Sequence, residues 1–245
     1  NFASLLSSIG DIYINDAFSC SHRKQCSIHK IAKYIKKSYA GPLFMKEILS
    51  INMVLSNKKS PTTCIIGGSK ISTKLGVIAS LIKKIDNLII VGAMANNFIK
   101  FKGNKIGKSL FELNSEKTVK EILEEAEKNN CKVIIPIDFA VSNSTEGEAN
   151  YKDLKNIKDD EMILDIGPLT IEKIGKIIDS SKTVLWNGPA GYFENQNFLK
   201  GTISIAKKIS ENTNLNSLIS IVGGGDTISA IKNNDLNLSF THLST

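Results

Sequence analysis

The sequence of 245 residues lacks the features that mark membrane, secreted and zinc-binding proteins. No apolar run approaches the ~18 residues of a membrane span, and no signal-peptide pattern stands at the start. None of the four cysteines, Cys20, Cys26, Cys64 and Cys131, has metal-ligand spacing. Cys64 and Cys131 lie in or beside apolar runs, where cysteine behaves as a small core residue. We therefore expect a reducing, cytoplasmic setting and no membrane partner.

Charge and composition fit a globular protein, with 42% hydrophobic and 22% charged residues. The formal net charge of +7 suits an anionic substrate or nucleic acid. The lysines are spread along the chain and form no stripe, and aromatic stacking platforms for single strands are lacking. We expect no nucleic-acid partner. A nucleic-acid-binding module is kept as an alternative, and its affinity would fall steeply with salt.

The ends of the sequence suggest a piece of a longer protein. It begins without methionine in a helix-like pattern, NFASLLSSIG, and ends on a strand-like run, LSFTHLST. Residues 11–17 alternate like a strand, and residues 28–38 and 43–55 have a helical period.

From Thr62 onward, short apolar runs alternate with helical runs. The predicted strands are residues 64–66, 87–91, 132–137, 183–186 and 218–222. The predicted helices are residues 70–84, 95–101, 115–129, 169–180, 198–211 and 226–232. Continuously apolar strands separated by helices indicate an α/β fold with a parallel sheet and helices on both faces. Ligands of such sheets bind at the carboxyl ends of the strands.

The stretch LISIVGGGDTISA, residues 218–230, is typical of a strand, a tight turn and a short helix. Three consecutive glycines cost backbone entropy, so such a turn usually needs positive φ or the close approach of a ligand. The free N–H groups of a helix N-terminus attract phosphate. Asp226 would repel a phosphate unless a divalent cation such as magnesium lies between them. The alternative is a turn in which Asp226 or Thr227 only caps the helix.

Two lysines follow the glycine pair at residues 67 and 68. Lys74 lies four residues after Lys70, which predicts that both ammonium groups share one face of a helix. The helix dipole disfavours cations in the first turns, so a nearby anion would compensate. The alternative is chance spacing in a lysine-rich chain.

Other polar residues follow predicted strands. Asn187 can offer an amide at a strand end, and Glu194 could accept from sugar hydroxyls, although a Gly-Pro turn with a solvated glutamate is equally compatible. His22 and Arg23 follow the strand-like residues 11–17, where Arg23 suits a phosphate or carboxylate, or simply lies in a solvated loop.

Seven motifs occur in one order along the chain: YINDAFSCSHR, GGSKISTK, GAMANNFIK, IGKSL, LDIGP, VLWNGPAGYFE and IVGGGDT. Together they resemble phosphoglycerate kinase, and the resemblance covers essentially all of the chain. VLWNGPAGYFE with IVGGGDT is highly specific, whereas either glycine turn alone would be weak.

The resemblance implies two Rossmann-like domains that face each other across a cleft. The N-terminal domain would bind 3-phosphoglycerate or 1,3-bisphosphoglycerate, and the C-terminal domain Mg-ADP or Mg-ATP. It implies that residues 1–40 end the first domain, residues 41–57 form the interdomain helix and residues 58–245 form most of the nucleotide domain. The implied activity is glycolytic phosphoryl transfer from 1,3-bisphosphoglycerate to ADP by a monomer. Because half of the cleft is missing, we expect this piece alone to be inactive.

The resemblance also assigns roles residue by residue. His22 and Arg23 would belong to the basic patch for the triose phosphate. Lys70 would stabilise the phosphoryl group in flight, with the backbone of Gly224 as a further catalytic group. The implied nucleotide-binding residues are Lys74, Gly92, Asn187, Glu194, Gly224, Gly225, Asp226 and Thr227. Of these, Glu194 would bind ribose hydroxyls, and Asp226 would hold Mg²⁺.

Some positions depart from the family's pattern. Val91, Ala93 and Ile163 stand at or near positions where glycine is usual, so their side chains are expected to narrow the adenine pocket. Gln25 replaces a histidine, which would weaken the basic patch. A dinucleotide-dependent dehydrogenase also fits the fold, but the expected glycine fingerprint with an acidic partner ~20 residues on is lacking.

Overall fold

The computed structural model describes residues 2–21, 23–56, 59–234 and 237–244, without the side chains of residues 53–55. The chain divides into two compact units, Asn1–Asn57 with Ser244–Thr245, and Lys58–Leu243. Over the described ranges, no helix combines the length and apolar character needed to cross a membrane.

The α-helices and strands of the first unit, over its described residues, are α1 (Phe2–Ser7), β1 (Ile12–Asn15), β2 (Lys37–Ala40) and α2 (Pro42–Ser56). Strands β1 and β2 pair in parallel. The backbone N–H of Phe44 donates to Asp16 Oδ1 at 2.8 Å, which caps the first turn of α2. The structure confirms the predicted helix over residues 43–55 within one residue at each end.

The predicted helix over residues 28–38 is wrong in its second half. Short π- and 3₁₀-helical turns occupy Cys26–Lys30 and Ile31–Lys33, and β2 begins at Lys37. The local helical period is overridden because Lys37–Ala40 forms a parallel ladder with β1.

The second unit is built on a parallel sheet. Its strands are β3 (Thr62–Ile66), β4 (Asn87–Ile90), β5 (Lys132–Ile134), β9 (Thr183–Asn187), β10 (Ile219–Gly223) and β11 (His242–Leu243). Its helices are α3 (Leu75–Ile82), α4 (Ala93–Phe101), α5 (Glu116–Lys128), α6 (Pro168–Ser180), α7 (Lys200–Asn214) and α8 (Gly225–Lys232). Every neighbouring pair of strands in this sheet is parallel, as predicted.

The strand order in this sheet is β11-β10-β9-β3-β4-β5. From β3 the chain builds outward through β4 to β5, and it later returns to the other side of β3 to build β9, β10 and β11. The direction of building therefore reverses between β3 and β9. In open α/β sheets, the crevice outside the carboxyl ends of the strands at this reversal is where ligands bind.

Both faces of the sheet are covered, which confirms the α/β fold class. On one face, Ile65 of β3 packs in a core with α6, α7 and α8, around the buried Trp186. On the other face, the neighbouring Cys64 and Ile66 pack with α3, α4 and α5. Alternate residues of β3 thus serve opposite cores. Cys64 and Cys131 are buried, as expected from their apolar surroundings.

A second, antiparallel sheet was not predicted. It has the order β7-β6-β8 and consists of β6 (Asp138–Ser142), β7 (Asn150–Asp153) and β8 (Met162–Ile166). The predicted strand over residues 132–137 is too long, because β5 ends at Ile134 and the chain turns toward this sheet. Phe139 and Val141 of β6 form a third core with Ile99 of α4, so the small sheet is packed against the end of α4.

Candidate functional site

The turns that follow β3 and β9 are in direct backbone contact. The N–H of Gly67 donates to the carbonyl oxygen of Asn187 at 2.9 Å. A Cβ added to Gly67 would overlap the carbonyl oxygen of Pro189, and Gly188 has a φ of +100°. Glycine at these two positions is therefore required by close approach and by left-handed backbone geometry. The glycines that the sequence placed at strand ends meet at the reversal of the sheet.

Hydrogen bonds join these turns to those of β4 and β10. Thr227 is fully buried, and its hydroxyl accepts the N–H of Gly188 at 2.8 Å. The indole N–H of Trp186 donates to the carbonyl of Gly188 at 2.9 Å. On the other side, Gly92 N–H donates to Ala190 O at 3.1 Å. Hydrogen bonds thus connect the turns after β3, β4, β9 and β10 into one continuous group, which we call the backbone platform.

Lys74 is the cation fixed within this platform. Its ammonium donates to Gly67 O at 2.7 Å and to Asn187 Oδ1 at 3.0 Å. An ammonium has three donors, so one remains without a partner among the described residues. Burial lowers the pKa of Lys74, and the nearby Asp226 carboxylate opposes this fall. Cys64 carries no charge near neutral pH, because burial raises its thiol pKa to about 12.

The glycine-rich turn after β10 begins helix α8. Gly224 has a φ of +95°, and α8 starts at Gly225. Apart from its chain neighbours and the backbone of its own helix, no described atom lies within 4 Å of the position that a Cβ on Gly225 would occupy, so the start of the helix opens onto free space. The first N–H groups of a helix have no partner within it. Asp226 is exposed beside them, in the first turn.

These turns border a cavity of about 390 Å³ within the second unit. Its polar and glycine lining includes Gly68, Gly92, Glu194 and Asp226. Its apolar lining includes Leu110, Phe139, Met162, Ile163, Leu164 and Phe193. The volume lies in the range of small-molecule and cofactor sites. Six residues singled out in the sequence therefore line one cavity: Gly68, Gly92, Ala93, Ile163, Glu194 and Asp226.

The expected narrowing of the cavity is corrected at one position. Val91 is fully buried in the core with Ile65 and Trp186, and it does not line the cavity. Ala93 and Ile163 do line it. The side chain of Val91 therefore packs in the core and does not narrow the cavity.

Lys70 does not lie in a helix, contrary to the predicted helix over residues 70–84. A 3₁₀ turn spans Ser72–Lys74, and α3 begins at Leu75. The exposed Lys70 therefore lies in the loop, and the shared helical face with Lys74 is not formed. The loop is anchored instead by Glu112. The N–H of Ser72 donates to this carboxylate at 3.0 Å, and the Ser72 hydroxyl also donates to it.

Sequence reasoning assigned no role to Asp165, which lines the cavity and is 2% exposed. Its carboxylate accepts the N–H groups of Ile166 at 2.8 Å and of Gly201 at 2.7 Å. Burial raises the pKa of Asp165 to about 7. Asp165 also abuts Gly191, where a Cβ would clash with it, so this carboxylate supports the turn that leads to Glu194. The available signal was a charged residue inside an apolar strand, which must find partners.

The predicted triose-binding pair belongs to the first unit. His22 lies outside the described residues. Arg23 is exposed, and its backbone N–H donates to Cys20 O at 3.0 Å. The role of both residues stays a prediction.

Comparison with known proteins gives one consistent answer. The family model described as "Phosphoglycerate kinase" matches residues 1–245. Phosphoglycerate kinase of Wolbachia pipientis wMel is 46% identical over 247 residues, which cover 100% of this chain and 62% of the relative. That of Orientia tsutsugamushi (strain Ikeda) is 44% identical, with 100% of this chain and 61% of the relative covered.

Solved structures agree. The structure of phosphoglycerate kinase from Coxiella burnetii aligns with a TM-score of 0.83 at 35% identity, covering 99% of this chain and 62% of that one. The Pyrococcus horikoshii OT3 enzyme aligns at 0.81 with 31% identity, covering 98% and 60%. This chain spans about 62% of the length of the curated relatives it matches. It belongs to the phosphoglycerate kinase family.

Proposed function

We propose that residues 58–245 are the nucleotide-binding part of a phosphoglycerate kinase, and that they bind ADP or ATP at the reversal between β3 and β9. The observation that carries this proposal is the fixed ammonium of Lys74. It bridges Gly67 O and Asn187 Oδ1 and keeps one donor for an anion. Helix α8 follows the neighbouring strand β10, and its open start supplies N–H groups that bind phosphate.

The apolar and the polar lining of the cavity suit the base and the phosphates of a nucleotide. The base lies against the apolar side chains of Leu110, Ile163 and Phe193. The phosphates lie beside Asp226, against Lys74 and the N–H groups of Gly224 and Gly225. Glu194, which is exposed, accepts from the ribose hydroxyls. Gly92 lines the same cavity. Thr227 contributes through the turn that its hydroxyl holds.

Magnesium fits the donor set at this place. Asp226 offers one exposed carboxylate next to the phosphate-binding turn, and Mg²⁺ is commonly bound by one or two carboxylates together with nucleotide phosphates and water. No group of three or more potential metal-ligating side chains occurs among the residues that the structure describes, so the nucleotide would complete the coordination. The bound ion would neutralise phosphate charge.

The reaction proposed for the whole protein is phosphoryl transfer between 1,3-bisphosphoglycerate and ADP, giving 3-phosphoglycerate and ATP. Phosphoryl transfer depends mainly on positioning and charge stabilisation. Lys70, exposed on its loop, and the backbone N–H of Gly224 would meet the transferring group. The acceptor of the reverse reaction is a carboxylate, already ionised at neutral pH, so no general base is needed. His22 and Arg23 would bind the triose phosphate.

The remaining proposals concern the whole protein. Residues 1–40 would end its triose-binding domain, and residues 41–57 would form the interdomain helix. The division of the chain into compact units after residue 57 supports the boundary between the interdomain helix and the nucleotide-binding part. The four unpaired cysteines support a cytoplasmic location. We further propose that the protein is a monomer and that this chain alone does not turn over substrate.

Calorimetric titration with ADP, with and without Mg²⁺, tests the nucleotide site. The wild-type chain is compared with Lys74→Ala and with Lys83→Ala. Lys83 is an exposed lysine just after α3 whose ion pair with Glu125 at 3.7 Å lies outside the cavity. Removing a charged donor is expected to weaken ADP binding by roughly ten-fold or more, because hydrogen bonds to charged groups contribute about 1.5–3 kcal/mol. Lys83→Ala should change the affinity by less than about two-fold.

Circular dichroism would first establish that each variant is folded. Magnesium-dependent binding that Lys74→Ala weakens and Lys83→Ala preserves supports the proposal. Equal effects of the two substitutions would show that only the net positive charge matters. A folded wild-type chain that does not bind ADP would refute the nucleotide site in this chain.

A further inference from the structure

One buried acceptor in the cavity wall lacks a partner. Asn96 lies on the first turn of α4, is fully buried and lines the cavity. Its amide nitrogen donates to the carbonyl oxygen of Leu110 at 2.8 Å. Its Oδ1 has no hydrogen-bond partner among the described residues. A buried acceptor without a donor carries a desolvation penalty, so its retention in a site wall calls for a ligand or water that supplies one.

The orientation of this amide is fixed by chemistry. A carbonyl oxygen only accepts, so the atom of Asn96 that faces Leu110 O must be the nitrogen. Reversing the amide would place two acceptors at 2.8 Å. Rotating the amide by 180° therefore cannot place its NH₂ group where the unpaired oxygen lies.

The neighbouring Asn97 shows what a satisfied amide in the same helix looks like. Its Oδ1 accepts the N–H of Glu112 at 2.8 Å and the hydroxyl of Ser115 at 2.9 Å. Its nitrogen donates to Met94 O at 3.1 Å. Asn97 anchors the segment after Leu110, and all of its polar atoms are used. Of this pair, only Asn96 has a polar atom without a hydrogen-bond partner among the described residues.

Hydrogen bonds connect Asn96 to part of the apolar lining of the cavity. Asn96 donates to Leu110 O, and the hydroxyl of the adjacent Ser109 accepts the N–H of Ile163 at 2.7 Å, so residues 109–110 and Ile163 form one wall. Apolar walls with one well-placed polar atom give a ligand its orientation and specificity. In the proposed nucleotide pose, this wall contacts the base.

We propose that Asn96 is a base-specificity residue, whose Oδ1 accepts a hydrogen bond from an exocyclic amino group of the purine. The inference rests on the proposed nucleotide function and adds to it the atom that distinguishes an aminopurine from a purine without that group. The apolar side chains of Leu110 and Ile163 can pack against any planar base, whereas the amide oxygen of Asn96 forms a hydrogen bond only with a donor. Sites that hydrogen-bond a substrate group discriminate against analogues that lack it.

The test compares ADP with purine riboside 5′-diphosphate, which carries hydrogen in place of the 6-amino group. Both are titrated into the wild-type chain, Asn96→Leu and Asn97→Leu. We expect the wild type to prefer ADP by about five- to ten-fold, the worth of one buried hydrogen bond. Asn96→Leu should reduce the preference to below about two-fold. Asn97→Leu should keep the wild-type preference, although the protein is less stable.

The outcomes separate this inference from the proposed function. A wild-type preference near one, with ADP binding that still depends on Lys74, would overturn the role of Asn96 and leave the nucleotide site standing. The wild-type preference itself is measured without any variant. A preference that survives Asn96→Leu would place the discriminating atom elsewhere and also overturn it. Failure of both nucleotides to bind a folded chain would refute the proposed function and the inference with it.

Discussion

The carboxyl group of Asp165 should make the second unit lose stability as the pH rises. Asp165 is 2% exposed and binds the N–H groups of Ile166 and Gly201. Burial raises its pKa from 3.8 to about 7, although those two N–H groups and the charge of Lys200 oppose the rise. Because Gly201 lies in the first turn of α7, the carboxylate ties β8 to that helix.

The sign and size follow from proton linkage. The pKa of Asp165 is higher in the folded state than in the unfolded state. Between about pH 4 and pH 7, the folded state therefore holds a proton that the unfolded state has already released. The free energy of unfolding therefore falls as the pH rises through this window and levels off above about pH 7. For a shift from 3.8 to about 7, the loss between about pH 5 and pH 8 is about 3 kcal/mol.

Trp186 makes the measurement specific. It is the only tryptophan in the sequence and is 2% exposed in the core of the second unit, so its fluorescence reports unfolding of that unit. Urea unfolding is followed from about pH 5 to pH 8 for the wild type and Asp165→Asn. The variant is neutral at every pH and can accept from only one of the two N–H groups, so we expect its unfolding free energy to carry no contribution from this titration and to lie about 1–3 kcal/mol below that of the wild type at about pH 5.

The difference in unfolding free energy between wild type and Asp165→Asn should thus shrink with rising pH. The control is Asp179→Asn, because hydrogen bonds from Lys208 and Asn212 lower the pKa of Asp179 and remove its titration from this window. Its difference from the wild type should be constant. A constant difference for Asp165→Asn as well would show that Asp165 is ionised throughout, and the reasoning from burial would fail.

Substitutions at three further positions separate folding from binding, all read by tryptophan fluorescence and ADP titration. Gly67→Ala should lower stability by about 3 kcal/mol or more, because its Cβ overlaps Pro189 O; a stable variant would contradict the close approach. Gly225→Ala should keep or raise stability by up to about 1 kcal/mol, since its Cβ enters only open space. The same substitution should weaken ADP binding, because this open space is where the nucleotide phosphates are proposed to lie. Glu112→Ala should weaken ADP binding by a few-fold by freeing Ser72, whereas Glu112→Gln, still an acceptor, should restore it.

Sequence patterns predicted the features that follow from local chemistry. Continuously apolar runs are required where a strand is buried on both faces, and Cys64, Ile65 and Ile66 serve two cores. The glycine turn at residues 223–225 was predicted to need positive φ or close approach, and Gly224 has a φ of +95°. The fold class and the location of the cavity both follow from these two signals.

Features that depend on distant contacts could not be predicted. Residues 37 and 38 continue a helical period, but pairing with β1 makes them a strand. The buried Asp165 looks like a charge in an apolar run until Gly201, 36 residues later, supplies an N–H. Asn96 and Asn97 are indistinguishable in the sequence, and only the fold shows that one amide is satisfied and the other is not. In each case the deciding partner lies elsewhere in the chain.

The two lysines show how a wrong local structure changes the chemical argument. On one helix face, Lys70 and Lys74 would have been equivalent cations facing one anion. In the structure Lys74 is locked by Gly67 and Asn187, while Lys70 is exposed on a loop that is tied down at Ser72. A fixed, partly buried cation suits the phosphates of a bound nucleotide, which do not move. An exposed lysine on a tethered loop can reach charge that develops during transfer, where stabilisation accelerates the reaction. We therefore expect loss of Lys74 to weaken nucleotide binding, and loss of Lys70 to leave binding nearly unchanged.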